Sequence, residues 1–150
     1  MTRFLLAVLF LMPSVANAAP KPAIAILGLD TVDKTDPQVA VQVTKLLRER
    51  AMLPASKFQL APNSDVTSRD IEAKEHCTSE AVACMAQIGN ELGASWLVFG
   101  KLETEHGGYV LNLKLLDVAR KQYVVAIREP FASADIDAVA KRLYDKLTGS

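Results

Sequence analysis

Two cysteines are the residues whose type and spacing could most directly support chemistry. Cys77 and Cys84 are the only cysteines among 150 residues. In an oxidising compartment, an even number of closely spaced cysteines indicates a disulfide. Seven residues along one straight helix would separate the two Cα atoms by about 10 Å, which is too far for this bond. The spacing therefore predicts that Cys77 lies in a turn and Cys84 on the helix that follows it.

Redox and metal chemistry are the alternatives for this cysteine pair. Redox-active dithiols favour two intervening residues, whereas these cysteines have six between them. His76 could add a third metal ligand, but there is no second close ligand pair and His106 lies in a distant turn. We therefore predict a structural disulfide, with no metal site and no cofactor.

The remaining residues show no pattern typical of an active site. His106 lies in a glycine-containing turn, where a solvated side chain is expected. No serine of the exported region lies in a Gly-x-Ser-x-Gly elbow, and Gly28 lacks the further glycines of a phosphate-binding loop. Asp30, Asp33 and Asp36 lack the glycine and the distal glutamate of a calcium-binding loop, and turn or capping roles explain them. We predict that the protein is not an enzyme.

Composition limits the class of partner. The chain has 17 basic and 17 acidic residues, so its formal net charge is zero. The basic residues are scattered, and such a chain has no field that would attract the phosphates of nucleic acid. Aromatic residues make up only 6% of the chain, which predicts a core built mainly from Ala, Val, Ile and Leu.

The N-terminal residues have the pattern of a secretory signal peptide. Arg3 precedes an apolar run at residues 4–12, and the small residues Ala16 and Ala18 precede Ala19. We predict a signal peptide at residues 1–18, cleaved between Ala18 and Ala19, and export to the periplasm. Residues 19–150 then form one domain with no membrane insertion, because no later segment approaches the 20 or so apolar residues of a membrane-spanning helix.

Periodicity predicts the element order β-α-β-α-α-β-β-β-α, an α/β fold (α+β, mixed sheet) of about five strands with helices packed on it. Residues 23–29 are apolar at every position, as in a strand buried on both faces. Asp36 followed by Pro37 predicts a helix start, and Ser79 and Ser133 are expected to cap two later helices. The predicted strands are 23–29, 57–61, 96–102, 109–118 and 123–129, and the predicted helices are 37–53, a short one within 64–75, 79–93 and 133–147.

Three segments resemble the TolB amino-terminal/CsgG-like group of periplasmic domains, which includes LpoB-type activators of peptidoglycan synthases. They are PAIAILGLD at 22–30, CMAQIGNELGASWLVFGKL at 84–102, and a strand at 109–118 that ends in LKLLDV. These are packing and turn motifs. The resemblance implies a mixed sheet with helices, and a binding or scaffolding role in the envelope without catalysis.

The chain departs from this group at several points. CsgG and LpoB-type proteins are lipoproteins whose first mature residue is cysteine, whereas Ala18 and Ala19 stand at the predicted cleavage site here. We therefore expect no lipid anchor. The chain also lacks the extra hairpins of a CsgG-type pore and the propeller repeats that follow the TolB amino-terminal domain.

The pattern of side chains in the predicted strand at 109–118 indicates where a partner could bind. In the strand at 109–118, one face is apolar and the other is mixed. Asn112, Lys114 and Arg128 on the mixed face form our candidate partner-binding surface, and an exposed sheet edge is the other candidate. The sequence thus favours a non-catalytic periplasmic adaptor whose partner is another envelope protein. The alternatives are a component of an outer-membrane secretion or surface-organelle complex, and a small thiol-dependent or hydrolytic periplasmic enzyme.

Overall fold

A six-stranded mixed sheet forms the centre of the fold in this computed structural model, which describes residues 19–77 and 81–149. The predicted signal peptide and Ser79 lie outside the described residues. The elements are β1 (Ala23–Ile26), β2 (Asp30–Thr31), α1 (Pro37–Met52), β3 (Gln59–Leu60), α2 (Ser68–Lys74), α3 (Val82–Glu91), β4 (Trp96–Glu105), β5 (Gly108–Asp117), β6 (Gln122–Phe131) and α4 (Ile136–Thr148), with a 3₁₀ turn at Ser133–Asp135 before α4.

The sheet joins a parallel half to an antiparallel half. Its strand order is β3-β1-β4-β5-β6, and the short β2 also pairs with β4. The β1 strand runs parallel to β3 and β4, whereas β4, β5 and β6 form an antiparallel meander. This confirms the predicted fold class, the interior position of the first strand and the meander.

Helices cover both faces of the sheet, but unequally. On one face, α1 and α4 bury Val43, Leu47, Val139 and Leu143 against strand residues that include Leu111. On the other face, the shorter helices α2 and α3 form a second core with β1, the first residues of β4 and the last residues of β5. That second core contains Ala25, Leu27, Ile71, Met85, Ile88, Leu92, Leu97, Phe99, Leu116 and Val118.

Several element ends differ from the prediction for local reasons. As predicted, Asp36 caps α1 by accepting a hydrogen bond from the amide of Gln38 at 2.9 Å. Helix α3 begins at Val82 after Ala81, without a side-chain cap. Ser133 enters the 3₁₀ turn instead of capping α4. The meander strands reach ten residues each.

A tight turn explains the added length of the first hairpin. Only His106 and Gly107 separate β4 from β5, and their φ angles are +49° and +80°. Positive φ at both central residues is the backbone of a type I′ turn, whose twist matches that of the two strands. Pairing therefore continues to Glu105 and Gly108 at the end of the ladder.

One arginine of α1 ties the helix to the sheet. Arg48 donates from Nε to the carbonyl oxygen of Ile26 at 2.9 Å and from Nη2 to that of Ser64 at 2.6 Å. It also forms an ion pair with Asp65, and its side chain is only 17% exposed. Residues 45–50 alternate basic, apolar and acidic side chains, a pattern typical of a solvated helix face. The three interactions of Arg48 instead fix it between α1, β1 and the segment at 64–65.

A carboxylate network joins α4 to β6. Glu129 accepts hydrogen bonds from Lys146 Nζ at 2.7 Å and from Arg142 Nη2 at 3.2 Å. The hydrogen bond from Lys146 is the main cause of a lowered pKa at Glu129; Arg142 acts in the same direction, and partial burial opposes both.

The two cysteines form the predicted disulfide. Cys77 follows α2 and Cys84 lies in the first turn of α3, with their Cα atoms 5.9 Å apart. The bond therefore links the two helices that cover the same sheet face.

Substituting Gly100 tests a close approach between two strands. A Cβ at Gly100 would overlap the carbonyl oxygen of Asn112 on β5 and crowd Leu113. Overpacking of this kind costs about 1–3 kcal/mol, so we expect Gly100→Ala to lower the free energy of unfolding by about that amount in urea titrations. The exposed neighbour Lys101 provides the control, Lys101→Ala. Equal stability of the two variants would contradict the close approach.

Replacing Glu129 by Gln should remove a pH-dependent stabilisation. Because the folded-state pKa is lowered, the stabilisation is present above the unfolded-state value of about 4.3 and is lost as the pH falls through the folded-state value. We expect Glu129→Gln to lower the free energy of unfolding by up to about 1 kcal/mol at pH 7 and by less at pH 3. Urea titrations at both pH values measure this, with the exposed Glu49→Gln as control. A loss that is the same at both pH values would contradict the assignment.

Removing the disulfide should lower stability through its short loop. In the chain-entropy model, closing a loop of this size stabilises by about 2–3 kcal/mol. We therefore expect the double variant Cys77→Ser/Cys84→Ser to unfold at lower urea concentration than the oxidised protein. Reductant should lower the stability of the wild type and leave the variant unchanged. Intact mass with and without thiol labelling gives the bonding state, and free thiols in the protein purified without reductant would contradict the bond.

Candidate functional site

The three candidate binding residues come together on one face of the meander. Asn112 of β5 pairs with Lys101 of β4 on one side and with Arg128 of β6 on the other. Lys114 lies two residues further along β5 on the same face and pairs with Ala126. We call this face the polar sheet surface, and its members are Lys101, Glu103, Glu105, Val110, Asn112, Lys114, Ala126 and Arg128.

The polar sheet surface lies where the second pair of helices ends. Alternate residues of β4 face the same side, and Leu97 and Phe99 are buried in the core formed with α2 and α3. The next residues on that side are Lys101, which is exposed, and Glu103, which is half-buried. The change from apolar to charged side chains along one strand therefore marks the limit of helix coverage.

Local pairs hold the charges of this surface in place. Arg128 forms an ion pair and hydrogen bond with Glu105 across the meander. Lys114 Nζ lies 5.4 Å from the centre of the Tyr123 ring, within the range of a cation–π contact. Val110 lies among these charges and is only 3% exposed. Because Val110 is buried, the accessible part of this surface consists mainly of polar and charged side chains.

The exposed sheet edge, the second candidate, is also present. Among the described residues, β6 pairs only with β5, and its ten residues form one edge of the sheet. The opposite edge is the two-residue strand β3. The longer edge directly borders the polar sheet surface, because Ala126 and Arg128 belong to both.

The histidine and aspartates that the sequence analysis considered for catalysis or calcium binding lie in turns or beside basic residues. The side chain of His106 is 90% exposed at the tip of the first hairpin. Burial raises the pKa of Asp30, and the charges of Arg69 and Lys101 oppose this effect. Asp33 has a positive φ of 55° in a turn. Within residues 19–77 and 81–149, no group of three or more His, Cys, Asp and Glu side chains is placed to hold a metal ion.

A groove of about 700 Å³ lies between the end of α1 and β3. Met52 and Leu53 border it and are 61% and 48% exposed, and the partly buried Phe58 also lines it. Lys21 donates a hydrogen bond to the carbonyl oxygen of Pro54 at its rim. The groove therefore lies beside β3, at the edge of the sheet opposite to the edge formed by β6.

Glu105 is a member of the polar sheet surface that sequence inspection misses. Sequence inspection assigns residues 103–108 to a link between strands, whereas Glu105 is the last residue of β4. The positive φ angles of the His106–Gly107 turn set the register that brings Glu105 beside Arg128. A two-residue turn assigned to His106 and Gly107 would have placed Glu105 at the end of the strand.

None of the described helices combines the length and apolar character that crossing a membrane requires. No family model and no curated protein sequence matches the chain.

Solved structures share the fold at low sequence identity. TolB from Acinetobacter baumannii superposes with a TM-score of 0.51 at 15% identity over 87% of this chain. The match spans only 29% of the TolB chain. The NMR structure of LpoB from Escherichia coli matches with a TM-score of 0.51 at 12% identity, covering 75% of this chain and 58% of LpoB.

A third structure, the hypothetical protein CT253 from Chlamydia trachomatis, has a TM-score of 0.52 at 11% identity and covers 86% of this chain and 94% of its own. At these identities the likeness concerns the fold alone. The chain therefore has a fold similar to that of TolB and LpoB, whereas the resemblance to CsgG stays a prediction.

Proposed function

We propose that this chain is a non-catalytic binding protein of the bacterial cell envelope that contacts another envelope protein through the polar sheet surface. The main observation that supports this proposal is that Asn112, Lys114 and Arg128 lie side by side on the part of the sheet that no described helix covers. Assignment to the periplasm rests on the predicted signal peptide at residues 1–18.

A sheet face is well suited to this role. Neighbouring strands hold cross-strand side chains about 5 Å apart, so a partner meets a pattern of charges with fixed spacing. The ion pair between Arg128 and Glu105 and the contact of Lys114 with Tyr123 restrict side-chain motion before binding. Less conformational entropy is then lost when the partner docks.

The TolB-like and LpoB-like fold supports the proposal at the level of architecture, because the sequence resemblance to that group implies binding and scaffolding roles. The CsgG part of the resemblance would instead imply ring assembly. Light scattering of the exported protein separates these possibilities, since a ring has many times the mass of a monomer.

Crosslinking in intact cells tests the proposed surface. A photocrosslinking residue at position 112 should capture an envelope protein, whereas one at position 41, on the exposed side of α1, should not. We expect the charge reversals K114E/R128E to reduce that capture at least about tenfold, because they replace two positive side chains of the surface by negative ones and so disrupt its charge complementarity with the partner.

The matched control is K45E/K141E, which changes the net charge by the same amount at exposed positions on the two helices of the other face. Thermal unfolding establishes that both variants fold. If K114E/R128E leaves the captured proteins unchanged, or the control loses them equally, the polar sheet surface is not the binding site.

A further inference from the structure

The edge of β6 carries backbone groups that are free to pair with another strand. Pro130 has no amide hydrogen, so it cannot donate to Val110, its partner on β5. Residues of an antiparallel strand alternate between bonding inward and outward. By this alternation, the N–H and C=O groups of Arg128 and Ala126 point away from β5.

A β-bulge and a proline lie near the two ends of this edge and leave the stretch between them open to pairing. Natural edges are blocked by proline, by β-bulges, by charged side chains or by a short strand. Here Pro130 lies near one end of ten residues, and Ala126 is small and exposed. Val124, which the register shift between Leu115 and Leu116 leaves as an extra residue, is 53% exposed.

Basic side chains flank the β6 edge on both faces of the sheet. Lys114 and Arg128 lie on the polar sheet surface, and Arg142 and Lys146 reach β6 from α4 on the opposite face. Arg120 and Lys121 precede the strand. Three acidic neighbours form ion pairs with these basic side chains: Glu105 with Arg128, Glu129 with Arg142 and Lys146, and Asp117 with Arg120.

With Lys101 and Glu103 of the polar sheet surface included, the balance of charge around this edge is seven basic side chains against four acidic ones, in a chain whose net charge is zero. Such an edge favours a strand that carries negative charge, because acidic side chains beside its basic ones would be attracted from both faces.

We propose that the β6 edge accepts an extended acidic segment of the partner protein, which adds to the sheet as a further strand. This inference rests on the proposed function and specifies how the partner is held. The outward backbone groups of Ala126 and Arg128 bond to the segment, and acidic side chains at alternate positions lie beside Arg128 on one face or beside Arg142 and Lys146 on the other.

A synthetic peptide provides the probe. It has ten residues in which Glu alternates with Thr, and it carries a fluorophore for anisotropy measurements against the exported protein. We expect saturable binding that weakens as salt is added. Two control peptides separate the causes: Lys replaces Glu in the first, and in the second every backbone amide is N-methylated, so that neither edge of the peptide can donate a hydrogen bond to β6.

Protein variants locate the contact. Ala126→Pro removes an outward amide without removing a bond to β5, and we expect it to weaken peptide binding at least about tenfold. Ala126→Thr keeps the amide and should bind as the wild type does. K114E/R128E should weaken binding to a similar extent as the proline variant. Hydrogen exchange should show slower exchange at Ala126 and Arg128 when the acidic peptide is bound.

The outcomes are distinct. If the acidic peptide does not bind, if its N-methylated form binds equally well, or if protection appears elsewhere, strand addition at β6 is wrong. The N-methylated peptide keeps this test decisive even if Ala126→Pro fails to fold. Displacement of the peptide by vesicles of anionic phospholipid, with Ala126→Pro still binding them, would assign the charges to lipid headgroups and also overturn the proposal.

Crosslinking in cells separates this failure from failure of the proposed function. If position 112 still captures a protein that K114E/R128E loses, the polar sheet surface binds a partner in another manner. If that capture is absent, the proposed function itself is wrong.

Discussion

Strand β4 is the constraint on which the rest of the fold depends, because among the described strands only β4 pairs with both the parallel and the antiparallel parts of the sheet. Its neighbours are β1 and β2 on one side and β5 on the other. At Gly100 the strand has no side chain, and the backbone of Asn112 occupies the space where a Cβ would lie. The polar sheet surface exists because β4 continues beyond the helices that cover its first residues.

The sequence is most informative where periodicity is unambiguous. Three patterns predict the architecture. The first strand is apolar throughout because it is buried on both faces, α1 begins with a cap and a proline and buries one stripe, and β5 alternates because only one of its faces is apolar. The cysteine spacing predicts a bond between a turn and a helix, and Cys77 and Cys84 have that arrangement.

Features that depend on register or on distant partners are less accessible from sequence. Arg48 belongs to a mixed-charge helix face, and only the fold brings the carbonyl oxygens of Ile26 and Ser64 within its reach. Asn112, Lys114 and Arg128 share a face because strand alternation and register agree, whereas Glu105 joins them through the backbone conformation of a two-residue turn. The similarity to TolB and LpoB supports the architecture, and the assignment of a binding role depends on the surface itself.

The pairing pattern also has a consequence for the order of folding. The meander joins neighbouring segments, whereas Ile24 of β1 pairs with Trp96, 72 residues later in the chain. Closing long loops is entropically costly, so topologies with local contacts form faster. The local contacts within β4, β5 and β6 therefore favour pairing of these strands before β1 joins the sheet. Until then the apolar face of the meander would be uncovered, which is the stage at which the folding chain would be most vulnerable to aggregation.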